Sequence, residues 1–380
     1  MPRRRTVLAS GASLVAATVA GCTGDPTADD DDSGTDTESY TVTVEPNFRH
    51  TFDSVPESYT AIPSVWLDIG MAFGIEPAAV ASFDRAPLKY YELLPDVSLD
   101  TDAVTLLAGG AEEGYDKENF YAANADVNLI DPRALKFYAD WSDDDIAEIE
   151  SATGPFLGTT IRFQSDSLTN GEEPPYDLYG AFEKAARIFQ RQAQFDAWQS
   201  FYDDFIEGIR SELPPEDERP SVAAIWRGVN PESGQFRIAE IDAMANNTRT
   251  YRELGLRDAF QGRIPDGPIG YEELLNVDPD YIGAVGGLTS LTHEEFVSTA
   301  VEPFENDPNG RQLSAVQNGN LVRTGGQYMG PIVDLYSTEA LAKQVFPDRF
   351  GAWPGAVADV PEDERLFDRE ELAAIINGAF

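Results

Sequence analysis

A proline-free stretch from Asp177 to Leu213 constrains the fold of this chain more than any other feature. Pro174-Pro175 precede it and Pro214-Pro215 follow it, which is how helices are commonly delimited. Apolar residues recur at helical spacing along two of its sides, so other parts of the protein must cover both. A single helix of this length would reach roughly 50 Å. We expect one long helix with Asp177 as its N-cap, either in the core of one large domain or as a rigid connection between two lobes.

Short apolar strands alternate with helical segments on both sides of this stretch. Before it, Asp126–Ile130 is an acidic turn followed by a buried strand, and after it Asp278–Val285 repeats the pattern. Such alternation predicts α/β lobes built on mostly parallel sheets. We therefore predict two Rossmann-like lobes, residues 40–176 and 214–380, joined by one long α-helix over residues 177–213, with a ligand cleft between the lobes.

The first 39 residues have the composition of an export signal and a tether. Within residues 1–22, Arg4-Arg5 lies in a pattern that resembles the twin-arginine export signal, and the apolar segment Val7–Ala20 is too short to span about 30 Å of hydrocarbon. Cys22, the only cysteine, ends a Val-Ala-Gly-Cys sequence that resembles a lipobox, so we expect lipidation there. Residues 23–39 are acidic and polar, which predicts a disordered tether. We expect a lipid-anchored protein on the extracellular face of the cell membrane.

The charge balance excludes one class of partner. There are 67 acidic and 27 basic residues, which give a formal net charge of −40. Nucleic acid is therefore not expected as a partner, because its phosphate backbone would be repelled. The acidic residues are spread over the whole chain, a pattern that suits a protein dissolved in molar salt, where the Debye length falls to about 3 Å. The composition indicates a halophilic source.

Residues suited to metal binding or catalysis are scarce. The only histidines are His50 and His293, and the one cysteine lies in the predicted lipobox. Transition-metal sites need several imidazole or thiolate ligands, so we expect no resident metal and no cofactor. Neither a nucleophile elbow nor a P-loop is present in the sequence. We expect a binding protein, with a secreted enzyme as the last-ranked alternative.

Four short motifs occur in the order and spacing of one known family. They are Pro63-Ser64 before a helix that ends at Gly74, then Asp278–Ile282, Leu313–Val322, and Tyr328–Pro331 followed by Phe346-Pro347. Over residues 40–347 the chain resembles the substrate-binding proteins of ABC importers that serve ferric siderophores, haem and cobalamin. The resemblance implies an ABC permease and its ATPase subunit as partners. It also implies a ferric siderophore as ligand, of hydroxamate-like type, with cobalamin or haem as the alternative. A rival of another class is an extracytoplasmic ligand sensor.

Candidate ligand contacts follow the predicted strands, because open α/β sheets bind ligands at the carboxyl ends of their strands. Aromatic rings suit a bulky chelate, and arginine suits its oxygen atoms. The candidates are Ser64, Trp66, Arg85, Tyr90, Tyr91, Tyr115, Trp226, Arg227, Gln327 and Tyr328. Two alternatives stay open: Trp66 could be a core residue, and Arg227 could balance neighbouring carboxylates. The resemblance also implies carboxylates that contact permease arginines, for which Asp68 and Glu253 are the candidates.

Overall fold

The computed structural model describes residues 39–46, 48–83, 86–108, 114–161, 175–226, 231–243, 246–263, 265, 267–326 and 328–380. They belong to a compact unit that spans Glu38–Phe380. The predicted signal peptide, its lipidation site Cys22 and nearly all of the predicted tether lie outside the described residues. Among the helices that are described, none is both long enough and apolar enough to cross a membrane.

The first half of the chain forms a hairpin and a parallel sheet. The antiparallel hairpin strands are β1 (Tyr40–Val44) and β2 (Phe48–Phe52), and the sheet strands are β3 (Tyr59–Ile62), β4 (Ala79–Val80), β5 (Thr105–Leu106) and β6 (Val127–Ile130). The sheet order is β5-β4-β3-β6, with every pair parallel. All residues of β3 and β6 are buried, as in parallel sheets covered on both faces. The helices of this half are α1 (Ser64–Met71), α2 (Leu88–Tyr91), α3 (Lys117–Ala123), α4 (Pro132–Ala139) and α5 (Asp143–Ala152).

The predicted long helix is two helices, α6 (Leu178–Ile188) and α7 (Gln192–Glu212). Asp177 caps α6 as predicted, because its side chain accepts a hydrogen bond from the amide of Gly180 at 2.8 Å. With 21 residues, α7 spans about 31 Å. The prediction of one continuous helix is therefore wrong, whereas the predicted start and end of the helical region are right.

The break between α6 and α7 turns the chain back on itself. Gln190 adopts a φ of 52°, and the amide of Arg191 donates to the carbonyl of Ala186 at 2.8 Å, which is a Schellman helix end. Aromatic rings of the two helices then pair in antiparallel order, with centroids 4.3 and 5.5 Å apart in Tyr179–Tyr202 and Phe182–Trp198. Part of the apolar surface of each helix is thus covered by the other. Periodicity alone could not reveal this turn, because the apolar spacing continues through it.

The second half of the chain forms another parallel sheet. Its strands are β7 (Ser221–Trp226), β8 (Arg257–Asp258), β9 (Tyr281–Val285) and β10 (Leu321–Arg323), in the order β10-β9-β7-β8. Its helices are α8 (Arg249–Glu253), α9 (Tyr271–Val277), α10 (Gly287–Ser290), α11 (His293–Phe296), α12 (Glu302–Asn306) and α13 (Ser314–Gln317), with the π-helical segment Val297–Val301 between α11 and α12. Two parallel sheets with helices around them confirm the predicted α/β fold class.

Both sheets share one device at the amino ends of their strands. Asp126, directly before β6, accepts hydrogen bonds from the amide and the hydroxyl of Ser58 at 2.9 and 2.8 Å. Asp280, directly before β9, accepts from the amide and the hydroxyl of Ser221, both at 2.7 Å. Each carboxylate thereby ties the starts of two neighbouring strands together. The repeated acidic turn and strand read from the sequence is confirmed, and this bonding is its structural role.

The last helices are α14 (Pro331–Val345), α15 (Pro347–Phe350) and α16 (Arg369–Ile376). α14 contacts α1, α2, α6 and α8, so it lies between the two sheets. Apolar spacing predicts an amphipathic helix over Leu335–Val345, but the helix starts earlier and nearly all of its residues are buried. Its buried charges are therefore paired: Asp334 lies 3.2 Å from Arg249, and Glu339 lies 3.5 Å from Arg369.

Candidate ligand-binding cleft

The carboxyl ends of the two sheets meet at the carbonyl group of Leu288. Leu288 lies in α10, just after β9, whereas Lys89 and Tyr90 lie in α2, which follows β4. The ammonium group of Lys89 and the hydroxyl of Tyr90 both donate to this carbonyl, at 2.9 and 3.1 Å. Because open α/β sheets bind ligands at the carboxyl ends of their strands, the region around this contact is the candidate cleft.

Two glycine turns form the second sheet's side of the cleft. Gly286 follows β9 with a φ of 81°, a conformation that glycine adopts without strain. Its amide donates to the carbonyl of Gly325, which follows β10, at 3.0 Å. A Cβ on Gly326 would lie 2.9 Å from the Cα of Gly286. The two turns therefore pack backbone against backbone, and side chains that reach a ligand must come from the residues around them.

Three predicted ligand contacts are buried residues. Trp66 is fully buried, and its indole N–H donates to the carbonyl of Thr159 at 3.1 Å. Tyr91 is 1% exposed, and Tyr90 is fully buried with its hydroxyl on Leu288. These positions contradict the prediction that the three side chains contact a ligand, and Trp66 fits its core alternative. The physical reason is that α1 packs on β3 and α14, and α2 packs on α14, so their side chains are enclosed.

Other predicted contacts keep accessible surface at the strand ends. Trp226 ends β7 and Tyr328 follows β10, and both are partly exposed. Ser64, by contrast, begins α1 at the end of β3 and is buried, with 9% of its surface exposed. Tyr115 is also partly exposed, and its carbonyl accepts from the indole N–H of Trp141 at 3.2 Å. Three predicted contacts lie outside the described residues and stay predictions: Arg85, Arg227 and Gln327.

Lys89 is the candidate that the sequence analysis missed. Three other lysines form ion pairs with carboxylates, whereas Lys89 forms none with any described residue. Burial first, and then the charge of Arg323, lower the pKa of Lys89, while Glu295 opposes them. Lys89 is thus an ammonium group with unused donors at the carboxyl edges, able to bind oxygen anions. A lysine directly before two tyrosines, in a chain this acidic, was the signal that could have revealed it.

Arg323 adds a second cation to this region. It is the last residue of β10 and is buried, and burial lowers its pKa. Its guanidinium group donates to the carbonyl of Leu291 at 2.9 Å and to that of Gly355. Its positive charge thus acts on the cleft through space while its donors hold the backbone.

The two predicted permease contacts are engaged inside the protein. Asp68 is fully buried, and its Oδ2 accepts hydrogen bonds from the amides of Ile332 and Val333 at 3.1 and 3.2 Å. A buried side chain cannot meet a partner's arginine, so the prediction for Asp68 is wrong. Glu253 is 11% exposed and pairs with Arg249 at 3.0 Å and with a second arginine of α7. These two ion pairs argue against a permease contact there as well.

The described residues offer no group of three or more histidine, cysteine, aspartate or glutamate side chains arranged to hold a metal ion. The expectation that the protein has no resident metal or cofactor stays a prediction.

Comparison with known families identifies the class of protein. The family model described as "Periplasmic binding protein" matches residues 136–328, half of the chain. The chain therefore belongs to the periplasmic binding protein family, and the family predicted from the four motifs is confirmed. Its members are extracytoplasmic binding proteins, so the prediction that the chain is not an enzyme is confirmed with it. A search of curated protein sequences finds no match.

Solved structures of low sequence identity share the fold. A periplasmic binding protein from Veillonella parvula is 15% identical, with a TM-score of 0.58 over 81% of this chain and 97% of that one. The petrobactin-binding protein YclQ of Bacillus subtilis is 14% identical, with a TM-score of 0.57 over 81% and 99%. The catecholate-siderophore-binding protein VctP of Vibrio cholerae is 16% identical, with a TM-score of 0.54 over 81% and 99%. These similarities establish the fold alone.

Proposed function

We propose that this chain is the substrate-binding protein of an ABC importer, and that it captures a ferric siderophore in the cleft at Leu288 and delivers it to the permease. One observation carries the proposal. In a member of the periplasmic binding protein family, the carboxyl edges of two parallel sheets meet at one carbonyl, with the ammonium group of Lys89 beside it. Such an edge is where α/β proteins hold small ligands.

The accessible groups of the cleft suit an oxygen-rich chelate. Trp226 and Tyr328 offer aromatic surface for its apolar parts, and Lys89 offers donors for its oxygen atoms. We propose a hydroxamate-like ferric chelate first, with cobalamin or haem as the alternative for the same cleft. Two proteins of the same fold support a siderophore, since they are described as petrobactin-binding and catecholate-siderophore-binding.

Tryptophan fluorescence of the full chain in molar KCl tests this function. The chain is titrated with a ferric hydroxamate, a ferric catecholate, haem and cobalamin, and with the iron-free chelators as controls. We expect a saturable change with a ferric siderophore and none with its iron-free form. Saturation by haem or cobalamin alone would show that the ligand is not a siderophore, while the proposed role as a binding protein would stand. No response to any of them, from a chain that circular dichroism shows to be folded, would contradict the proposal and favour the ligand sensor.

We further propose export by the twin-arginine route and anchoring through a lipid on Cys22. The motifs in residues 1–22 support this, and so does the start of the compact unit at Glu38, where the predicted tether ends. Fractionation of cells tests it. We expect wild-type protein in the membrane fraction, the Cys22→Ser variant released to the medium, and the Arg4→Lys/Arg5→Lys variant retained in the cytoplasm. A Cys22→Ser variant that stays with the membrane would contradict the lipid anchor.

A further inference from the structure

The first turn of α14 takes its cap from a distant part of the chain. An α-helix leaves its first amides without partners inside the helix, and a side chain just before it normally accepts from them. Gly330, at the N-cap position of α14, has no side chain to do so. Instead, Oδ2 of Asp68 accepts from the amides of Ile332 and Val333, at 3.1 and 3.2 Å. The cap therefore joins α1 of the first sheet to the helix that follows the second sheet.

Gly330 makes this contact possible. A Cβ on Gly330 would lie 2.4 Å from the Cβ of Asp68 and 2.5 Å from its Oδ2. Backbone and carboxylate are thus in direct contact, without room for a larger residue. The Asp68 carboxylate and the first turn of α14 therefore hold one fixed relative position, which we call the interlobe joint.

The interlobe joint is formed by elements that also border the candidate cleft. α1 starts at Ser64, at the carboxyl end of β3, and Asp68 is one helical turn further along it. α14 starts just after Gly325 and Gly326, the turn that packs on the second sheet's cleft edge. α2, which reaches Leu288 across the cleft, also supplies Tyr91, whose hydroxyl faces Asp68. Elements from both sides of the cleft thus converge on one carboxyl group.

We propose that Asp68 is a positioning residue that fixes the start of α14 against the first sheet, and that opening of this joint is coupled to release of a proton. The inference concerns regulation of the site to which the proposed function assigns the ligand. Asp68 itself does not touch the ligand. Its effect on binding comes from where it holds the start of α14 and the turn before it.

The electrostatics of the joint determine the direction of the coupling. Burial raises the pKa of Asp68 to about 7; the amides of Val333 and Ile332 and the hydroxyl of Tyr91 oppose burial, and Asp334 adds to it. The titratable groups that face Asp68 are Tyr59 from β3, Tyr91 from α2, and Asp334 and Tyr336 from α14. Oδ1 of Asp68 is buried and has no hydrogen-bond partner among the described residues.

The sign follows from linkage. In an opened joint water reaches Asp68, and its pKa returns toward the ordinary value near 4. The closed joint therefore binds the proton more tightly than the opened one, so opening becomes easier as the pH rises through about 7 and harder below it. With one linked proton, the opening equilibrium changes about tenfold between pH 6 and pH 8.

Hydrogen exchange of the ligand-free full chain in molar KCl tests the inference. Protection factors of the Ile332 and Val333 amides are measured at pH 6 and pH 8 and corrected for intrinsic exchange. We expect about tenfold higher protection at pH 6 in the wild type. Asp68→Asn keeps an oxygen that accepts from the two amides but cannot titrate, so the tenfold difference between the two pH values should disappear. Asp68→Ala should lose protection at both.

Two results would overturn the inference. One is a wild-type chain with equal protection at pH 6 and pH 8; the other is an Asp68→Asn variant that keeps the tenfold difference. If Asp68→Ala does not fold, the wild-type and asparagine chains still decide the question. Because no ligand is present, this outcome is independent of the fluorescence titration, so failure of the proposed function and failure of the joint can be told apart.

Discussion

The two sheets are nearly alike at their amino edges and differ strongly at their carboxyl edges. At the amino edges, Asp126 and Asp280 make nearly the same bonds to Ser58 and Ser221. At the carboxyl edges, the first sheet presents α1 and α2, whereas the second presents the glycine turns at Gly286 and Gly325–Gly326.

The difference separates scaffold from site. At the amino edges, each carboxylate bonds only to the start of the neighbouring strand. The same short sequence pattern can therefore form this contact in both halves of the chain. The carboxyl edges must face each other and a ligand, so each depends on what the opposite half presents. Variants at the two kinds of edge, and at the interlobe joint, test this division.

The largest effect concerns pH. Burial raises the pKa of Asp68 to about 7 and that of Asp334 to about 6, above the unfolded value near 3.9. The folded state thus binds protons that the unfolded state releases, so stability falls as pH rises from about 4 to about 7. Asp68 alone contributes a loss on the order of 4 kcal/mol.

Urea unfolding at constant molar KCl measures this pH dependence. We expect the midpoint of the wild type to fall between pH 5 and pH 8, and the Asp68→Asn variant to show a shallower fall. Asp126→Asn, an amino-edge control, should keep the wild-type slope. Equal slopes for wild type and Asp68→Asn would remove Asp68 from the explanation.

The next effect tests the outer edge of the first sheet. The backbone from Pro155 to Gly158 runs beside β6. The amide of Leu157 donates to the backbone carbonyl of Asn128 at 2.9 Å. A Cβ on Gly158 would lie 2.2 Å from the backbone nitrogen of Ile130. The backbone of β6 cannot move aside as a flexible side chain could. Gly158→Ala should therefore lower the unfolding free energy by about 3 kcal/mol or more. A loss below about 1 kcal/mol in urea unfolding would show that this segment does not pack so closely.

The amino-edge carboxylates should be equivalent in energy. Asp126→Ala and Asp280→Ala each remove hydrogen bonds to a charged acceptor, and each should cost about 1.5–3 kcal/mol. The two losses should agree within about 1 kcal/mol, with a smaller loss for each asparagine variant. Chemical unfolding of the four variants under one set of conditions provides the measurement. A large loss in one sheet only would break the equivalence of the two amino edges.

The smallest effect is a gain. Gly208 lies inside α7, and a Cβ there would have no atom within 4 Å. Gly208→Ala should stabilise the chain by about 0.5–1 kcal/mol, because alanine has the higher helix propensity. This variant is the matched control for Gly158→Ala, since both add one methyl group. A destabilised Gly208→Ala chain would mean that α7 meets a partner on this face.

The structural features that could be predicted from the sequence are those that depend on residues close together in the chain. The cap at Asp177, the strand starts at Asp126 and Asp280, and the α/β fold class follow from local patterns. The single long helix failed because the turn at Gln190 uses neither glycine nor proline, and the apolar spacing continues across it. No local sequence signal indicates that a glutamine adopts the left-handed backbone conformation.

The candidate site was less predictable, because burial depends on distant partners. Trp66 and Tyr91 follow strand ends as ligand contacts should, yet both are buried by parts of the chain that are distant in sequence. In an acidic chain, Asp68 is indistinguishable by sequence from a surface carboxylate. Its burial follows from its contact with the amides of α14, which are distant in sequence. Lys89 was not predicted as a site residue, because the sequence does not show that its ammonium group contacts the carbonyl of Leu288.

One pair of variants tests most directly whether the ligand binds at the carboxyl edges beside Lys89. Lys89→Ala removes an ammonium group from the cleft. Lys184→Ala removes one that belongs to α6 and lies over the ring of Tyr176. Dissociation constants for the ferric siderophore that saturates the wild type should rise about tenfold or more in Lys89→Ala. They should stay within about twofold in Lys184→Ala. Equal affinity of both variants would contradict a ligand at this edge.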